Sequence, residues 1–359
     1  MRAASCELTR TGTPRRVTSS LPLRFKGAPG SPYTRKMLAL LRYRRIPYEF
    51  LIDDPAATAG LPQAKVSLLP TFYLPNEQGE LEAVVDSTPL IRRFEAEFPA
   101  RRTIPDDPVL EFLNYLIEDY GDEWLTKAMF HYRWSYAADI DKAGEILPRW
   151  RGLTNPDEQL ARMSEFVRSR QIERLYVVGS NATTAPVIEA SYVRFLGIMD
   201  RLLNTGPFLF GSRPASADFA LYAQLTQLTH FDPTPMAICL EQAPRVYAWT
   251  DLVDDLSGNP AAEDGWRSRD AARAALAELL GEIGRVYTPA LLANAAALDA
   301  GQAQMETIID GRPWQQPTFP YQAKCLGWIR AEHARLSAAD RAYVAEILAG
   351  TGCERLLTR

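Results

Sequence analysis

The alternation of apolar and polar positions sorts the chain into two differently patterned stretches. Residues 21–26, Leu-Pro-Leu-Arg-Phe-Lys, alternate as a half-buried strand does. A Gly/Pro turn over 27–30 follows, and Met37, Leu40 and Leu41 share one face of a helix expected from Pro32 to Tyr43. Residues 46–52 read as a second strand, so the opening unit is strand, helix, strand, with a parallel pair and a right-handed crossover. Residues 54–67 are small and irregular and read as a loop with room for one short helix. Residues 71–74 and 81–85 are strands flanking the hairpin turn Asn76-Glu77-Gln78-Gly79. Ser87 is expected to cap a helix that ends at Phe98 before Pro99.

Beyond Thr103–Pro108, a linker with two prolines and two aspartates, the period changes to helical. Leu113, Ile117, Tyr120, Trp124, Ala128 and His131 fall at steps of three and four on one long stripe. Stretches 157–172 and 186–203 repeat the pattern, and another helix is expected from Ala215 to Thr229. After Ser257-Gly258-Asn259-Pro260 the chain becomes Ala- and Leu-rich. Helices are expected over 270–280, 289–299, 322–335 and 337–349, the last capped by Ser337 with Asp340. Gly311–Tyr321, with its prolines and aromatics, reads as a compact loop. The expected organisation is an N-terminal extension 1–20, an α/β domain 21–102, an all-helical domain 103–255 and a helical extension 256–359 packed on the second domain.

Composition narrows the functions. The 359 residues are 47% hydrophobic and 23% charged, average values for a folded chain, with a net charge of -4. Basic clusters such as Arg42, Arg44 and Arg45 are short, so nucleic acid is not an expected partner. No apolar run reaches the roughly 20 residues needed to span a bilayer, so neither is a membrane. Residues 1–20 hold four arginines against the single acid Glu7, and read as an extension or a transit peptide. Cys6, Cys239, Cys325 and Cys353 lie far apart, as do His131, His230 and His333. No metal site is expected from them, and a reducing, cytoplasmic setting suits the cysteines.

Three short elements carry candidate chemistry. Ser31-Pro32-Tyr33 stands where the first strand gives way to the first helix. A helix N-terminus favours an anion, so the Ser31 hydroxyl is either a plain N-cap or a donor to a thiolate. Leu69-Pro70 opens the third strand, where a proline is tolerated. It is either an ordinary trans start or a cis turn with the Leu69 backbone groups facing outward. Asp86-Ser87-Thr88 stands at a strand-to-helix junction, as a cap or as a site for an ammonium and a carboxylate.

In this order on this scaffold, the three elements resemble those of the glutathione S-transferase superfamily, over roughly residues 21–255. Ser31-Pro32-Tyr33 is similar to the Ser-Pro-Phe motif of serine-type classes such as the plant tau class. The resemblance implies a thioredoxin-like α/β domain followed by an all-α domain, a homodimer, and glutathione as substrate. It implies that Ser31 stabilises the glutathione thiolate and that Pro70 is cis. Leu69 would pair its backbone with the cysteinyl part, and Asp86 and Ser87 would hold the γ-glutamyl end. Arg213–Tyr222 resembles the family's buried helix start, with Ala215 where Ser or Thr is usual and Ser216 as a substitute cap. Lys65 is the candidate for the glycyl carboxylate, and the extension from 256 has no counterpart in the family pattern.

A serine at this position cannot exchange disulfides as a cysteine would. The expected chemistry is therefore attack of the bound glutathione thiolate on a small hydrophobic electrophile, in a pocket lined by Tyr33, Tyr120, Trp124 and His131. A dehalogenase, etherase or isomerase would share the thiolate, and a non-catalytic binding module would share only the fold.

Overall fold

The computed structural model describes residues 19–52, 56–260 and 264–358. The expectation for most of residues 1–20 lies outside them. Strand β1 (Leu23–Gly27), helix α1 (Pro32–Arg44), β2 (Tyr48–Ile52), β3 (Thr71–Pro75), β4 (Leu81–Val84) and α2 (Ser87–Glu97) come first. The sheet order is β2-β1-β3-β4, with β1 and β2 parallel and the other neighbours antiparallel. Register puts Phe25 beside Phe50 on one side and Phe72 on the other, and the Phe25 and Phe72 rings stack at 4.5 Å. Alternation in β1 buries Leu23 and Phe25 beneath α1 and α2. This is the expected α/β unit.

The turn from β1 into α1 is tight. A side chain at Gly27 would come within 2.5 Å of Thr34 Cγ2, so only glycine lets the helix start this close to the strand end. Pro32 occupies the first turn of α1, where its missing N–H costs nothing. The helix stops at Arg45, in the left-handed region with φ 53°.

The helical part begins with α3 (Pro108–Tyr120), a π-helical turn (Gly121–Leu125) and α4 (Thr126–Ser135), which run on as one rod. Then come α5 (Ala137–Arg149), α6 (Asp157–Ile172), α7 (Ala185–Leu203), α8 (Ser216–His230), α9 (Pro233–Gln242) and α10 (Pro244–Asp254). Helix α8 is buried along nearly its whole length between α1, α3 and α10. Its start corrects one expectation. Ser216 does not cap it, because its hydroxyl donates to Glu118 Oε2 at 2.5 Å and accepts from Asn114 at 2.8 Å. Asp218 holds the helix start instead, accepting from the backbone N–H of Ala215 at 2.8 Å and of Leu209 at 2.9 Å. Burial pushes the Asp218 carboxyl up to about 7.

The last part contains α11 (Arg269–Glu282), a second π-helical turn (Ile283–Tyr287), α12 (Thr288–Asp299), β5 (Gln304–Ile309), β6 (Arg312–Pro317), α13 (Pro320–Arg335) and α14 (Ala338–Leu348). The loop expected over 311–321 is in fact half of a hairpin. Asp310 and Gly311, both at positive φ (52° and 70°), make the two-residue turn, and Met305, Ile309, Trp314 and Gln316 face inward. The extension is therefore not purely helical. It shares the main core: Leu276, Ile283, Trp314 and Ile329 are all buried in it. Arg269 pairs with Asp107 at 2.8 Å, and Arg194 of α7 pairs with Glu282 and Asp310 at 2.8 and 2.9 Å.

Candidate functional site

Ser31 is the N-cap of α1. Its Oγ accepts from the Thr34 N–H at 3.2 Å and donates to the Leu69 carbonyl at 3.3 Å. The Leu69–Pro70 peptide bond is cis. The first two elements singled out in the sequence thus touch at one end of the sheet.

The third lies on the same side of α1. Asp86, at φ 81°, caps α2 through its side chain, which accepts from the Thr88 N–H at 3.3 Å. The cap is thus Asp86 and not Ser87, which is the first helical residue. Ser87 is 6% exposed, and its hydroxyl accepts from Lys36 Nζ at 3.1 Å. Lys65, by contrast, is exposed on the loop before β3.

Lys36 links this end of the sheet to the helical domain. Its side chain is fully buried and its ammonium bonds Glu118 at 2.8 Å and Asp122 at 2.6 Å. Burial alone would lower the Lys36 pKa, but Asp122 and Glu118 outweigh it and hold the ammonium above its usual value. Burial pushes Asp122 up to about 6 despite Lys36. Its Oδ1 has no hydrogen-bond partner among the described residues. Burial would likewise raise Glu118, but Lys36 holds it below the usual range. Two neighbours in the π-helical turn region follow the same logic. Burial lifts Asp119 to about 7, although the Tyr287 hydroxyl donates to it at 2.5 Å. Burial and the nearby Asp119 lift Glu123 to about 8. Four consecutive-turn carboxyls thus sit where the α/β unit, α3 and the extension meet.

The residues expected to line an electrophile pocket are placed as follows. Tyr33 donates its hydroxyl to the Asp122 carbonyl at 2.7 Å, and burial holds its phenol well above the usual range. Tyr120 and Trp124 are core side chains, 0% and 1% exposed. Tyr120 packs on Phe195 and Tyr287, and the Trp124 indole donates to Ser191 at 3.1 Å while its ring lies 5.3 Å from Trp314. His131 is buried between Ser180 at 2.8 Å and Glu189 at 3.0 Å. Of the four, Tyr33 is the one placed next to Ser31 in the chain.

What borders the Ser31 turn is instead α4 and α5. Leu147 and Trp150 close on Gly30, and Arg133 reaches the Gly30 carbonyl at 3.2 Å. Arg133 is itself fixed by Asp232 at 2.9 Å and Gln227 at 2.8 Å. These residues were not picked out in the sequence, and only the apolar step from Leu147 to Trp150 hinted at a packed face. A separate cleft of about 830 Å³ lies between α7 and the extension, lined by Arg194, Arg201, Glu278 and Arg285, and holds none of the site residues. Among the described residues, no cluster of His, Cys, Asp and Glu is arranged to hold a metal ion, and no helix is long and apolar enough to cross a membrane.

Comparison with known families agrees with the two-part fold. Residues 26–102 match the glutathione S-transferase N-terminal domain, and residues 158–252 match the glutathione S-transferase C-terminal domain. These two stretches carry the N- and C-terminal domains of the glutathione S-transferase family. Similar solved structures include a glutathione transferase family member from Pseudomonas fluorescens pf-5 with two glutathione bound. It is 13% identical over 67% of this chain and 89% of that one, with a TM-score of 0.40. A glutathione S-transferase from Rhodospirillum rubrum F11 is 18% identical over 70% and 98%, with a TM-score of 0.41. The tau class enzyme from mango, Mangifera indica, is 15% identical over 70% and 96%, with a TM-score of 0.39. None of the curated proteins matches the chain.

Proposed function

We propose that this protein is a glutathione transferase that binds glutathione along Ser31, Leu69, Pro70, Asp86 and Ser87 and directs its thiolate at a small hydrophobic electrophile. The observation that carries the reading is the meeting of the Ser31 hydroxyl with the Leu69 carbonyl at 3.3 Å. The Ser31 hydroxyl stands at the N-terminus of α1, where the helix dipole also favours an anion. A thiolate pKa lowered by about two units would ionise most bound glutathione at neutral pH, about 2.7 kcal/mol of differential interaction. The γ-glutamyl ammonium goes to Asp86 and its carboxylate to the start of α2. Lys65 is the candidate for the glycyl carboxylate. The electrophile enters beside Tyr33, Leu147 and Trp150. The reading includes a cytoplasmic homodimer.

A second reading, a binding module without catalysis, draws on one observation: both Asp86 carboxylate oxygens already have protein donors, Thr88 N–H and the Tyr321 hydroxyl. One variant separates the two. Ser31→Ala removes a hydrogen bond to a charged sulfur, so turnover with glutathione should fall about ten- to a hundredfold. Glutathione affinity by calorimetry should change little, and the pH–rate profile should move to higher pH. Loss of the cap alone would cost about 1 kcal/mol of stability. A lowered melting point with unchanged turnover per folded molecule would end the catalytic assignment, and no binding heat at millimolar glutathione would end the whole reading.

A further inference from the structure

We infer that the C-terminal extension supplies a substrate-binding residue, Tyr321, whose hydroxyl orients Asp86 and reads the ammonium of the γ-glutamyl group. The inference rests on the glutathione reading above and deepens it.

Tyr321 comes from a segment 235 residues away, yet its hydroxyl donates to Asp86 Oδ2 at 2.8 Å. Thr88 N–H holds Oδ1 at 3.3 Å. Each oxygen of a carboxylate accepts about two hydrogen bonds, so each keeps a lone pair for a ligand. The two donors fix the carboxylate plane on a backbone already held at φ 81°, an unusual conformation for aspartate that neighbouring structure must maintain. The Tyr321 oxygen has lone pairs of its own, so one ammonium can donate to Asp86 and to Tyr321 together.

Tyr321 is held in place on both sides. Before it, the Asn294 side chain, fully buried, bonds both backbone groups of Phe319, at 2.9 and 2.7 Å. After it, Gln322 donates to Glu123 Oε2 at 3.2 Å. The next turn of α13 buries Cys325 and Leu326 in the core. A side chain clamped in this way is a fixed wall of the site and not a strap that swings away.

The test compares glutathione with glutaryl-cysteinyl-glycine, which lacks only the γ-glutamyl amino group. Calorimetry and steady-state rates are measured on the full chain as wild type, Tyr321→Phe, Asp86→Asn and the double variant. Tyr321→Phe keeps the ring and its packing, so it isolates the hydroxyl. The expected result is glutathione binding weakened roughly tenfold in Tyr321→Phe. KM for glutathione should rise with kcat kept, and the analogue's affinity should not change. In the Asp86→Asn background the Tyr321→Phe change should add little, because the two act as a pair. Equal weakening of both ligands would make Tyr321 merely structural and overturn the inference. Unchanged binding, or tighter glutathione binding as from relief of a blocked site, would overturn it too, while leaving the glutathione reading standing. Wild type that binds neither ligand overturns both.

Discussion

At the scale of single residues, the chemistry is organised by partners far away in sequence. Lys36 is the clearest case. Its ammonium is fully buried and answers Glu118, Asp122 and the Ser87 hydroxyl. Lys36→Met would leave two carboxylates in the interior without their cation, which costs about 3–5 kcal/mol. Chemical denaturation should show that loss, and adding Glu118→Gln and Asp122→Asn in the same chain should restore much of it. A Lys36→Met protein as stable as wild type would mean that the ion cluster contributes nothing. Ser31, Leu69, Pro70 and Asp86 could be singled out in the sequence because they stand at strand ends, while the roles expected of them came from the family resemblance. Lys36 lies in the helix that Ser31 caps and gave no such sign, since a lysine on a helix is usually solvated. Its role exists only through residues 51 to 86 positions away. The Tyr321–Asp86 contact was hidden for the same reason. Tyr120 and Trp124, read as pocket residues from their stripe, are core side chains, because period alone does not distinguish a wall of a cleft from the inside of a bundle.

At the scale of elements, the rod of α3 and α4 is where the units of the fold meet. The stripe from Leu113 to His131 was readable as one helix, and it is one rod. The π-helical turn at Gly121–Leu125 was not readable, since no single residue there breaks an α-helix and the extra residue per turn is decided by packing against α8 and the extension. The β5–β6 hairpin did carry a local signal, Asp310-Gly311 between alternating residues, which the surrounding prolines and aromatics obscured. The π-helical turn region gathers three carboxyls with raised pKa values: Asp122 at about 6, Asp119 at about 7 and Glu123 at about 8. Each binds its proton more tightly when folded than when unfolded. Their stabilising contribution is therefore complete below the ordinary carboxyl values of 3.8 and 4.5 and is lost as pH rises through about 6 to 8. Lys127, lowered to about 8 by burial, acts with the opposite sign but only above that window. The melting temperature should thus fall from about pH 5 to pH 8. Glu123→Gln, which keeps an acceptor for Gln322 without the charge, should flatten the upper part of the fall. A melting temperature that climbs across this range, or an unchanged slope in Glu123→Gln, would contradict the account.

At the scale of the whole molecule, the extension changes which surfaces remain for a partner. It packs on α3 and α7, so those faces are occupied within the chain. Among the large apolar side chains that remain exposed, two sets lie away from the extension. On the α/β unit these are Val66 and Leu68, 58% and 50% exposed, on the loop leading into β3. On the helical domain they are Leu153, Phe166 and Tyr176, along α6 and the turns flanking it, at 82%, 65% and 55%. Where exposed apolar side chains form a contiguous patch, they mark a contact surface. A twofold axis can bring the first patch of one chain onto the second patch of its partner and repeat the contact, which gives a closed dimer. Such a contact would give the homodimer that the family resemblance implies. Light scattering should give a mass about twice the chain's 40.2 kDa. Leu68→Asp or Phe166→Asp, each at an exposed position, should bring it down to one chain with the melting curve kept. If the patches instead serve only α/β and helical cores within one chain, the wild type will stay near 40.2 kDa at every concentration, and the dimer falls. If the dimer persists in both variants, it forms through another face, and the outer side of the extension is the next surface to substitute.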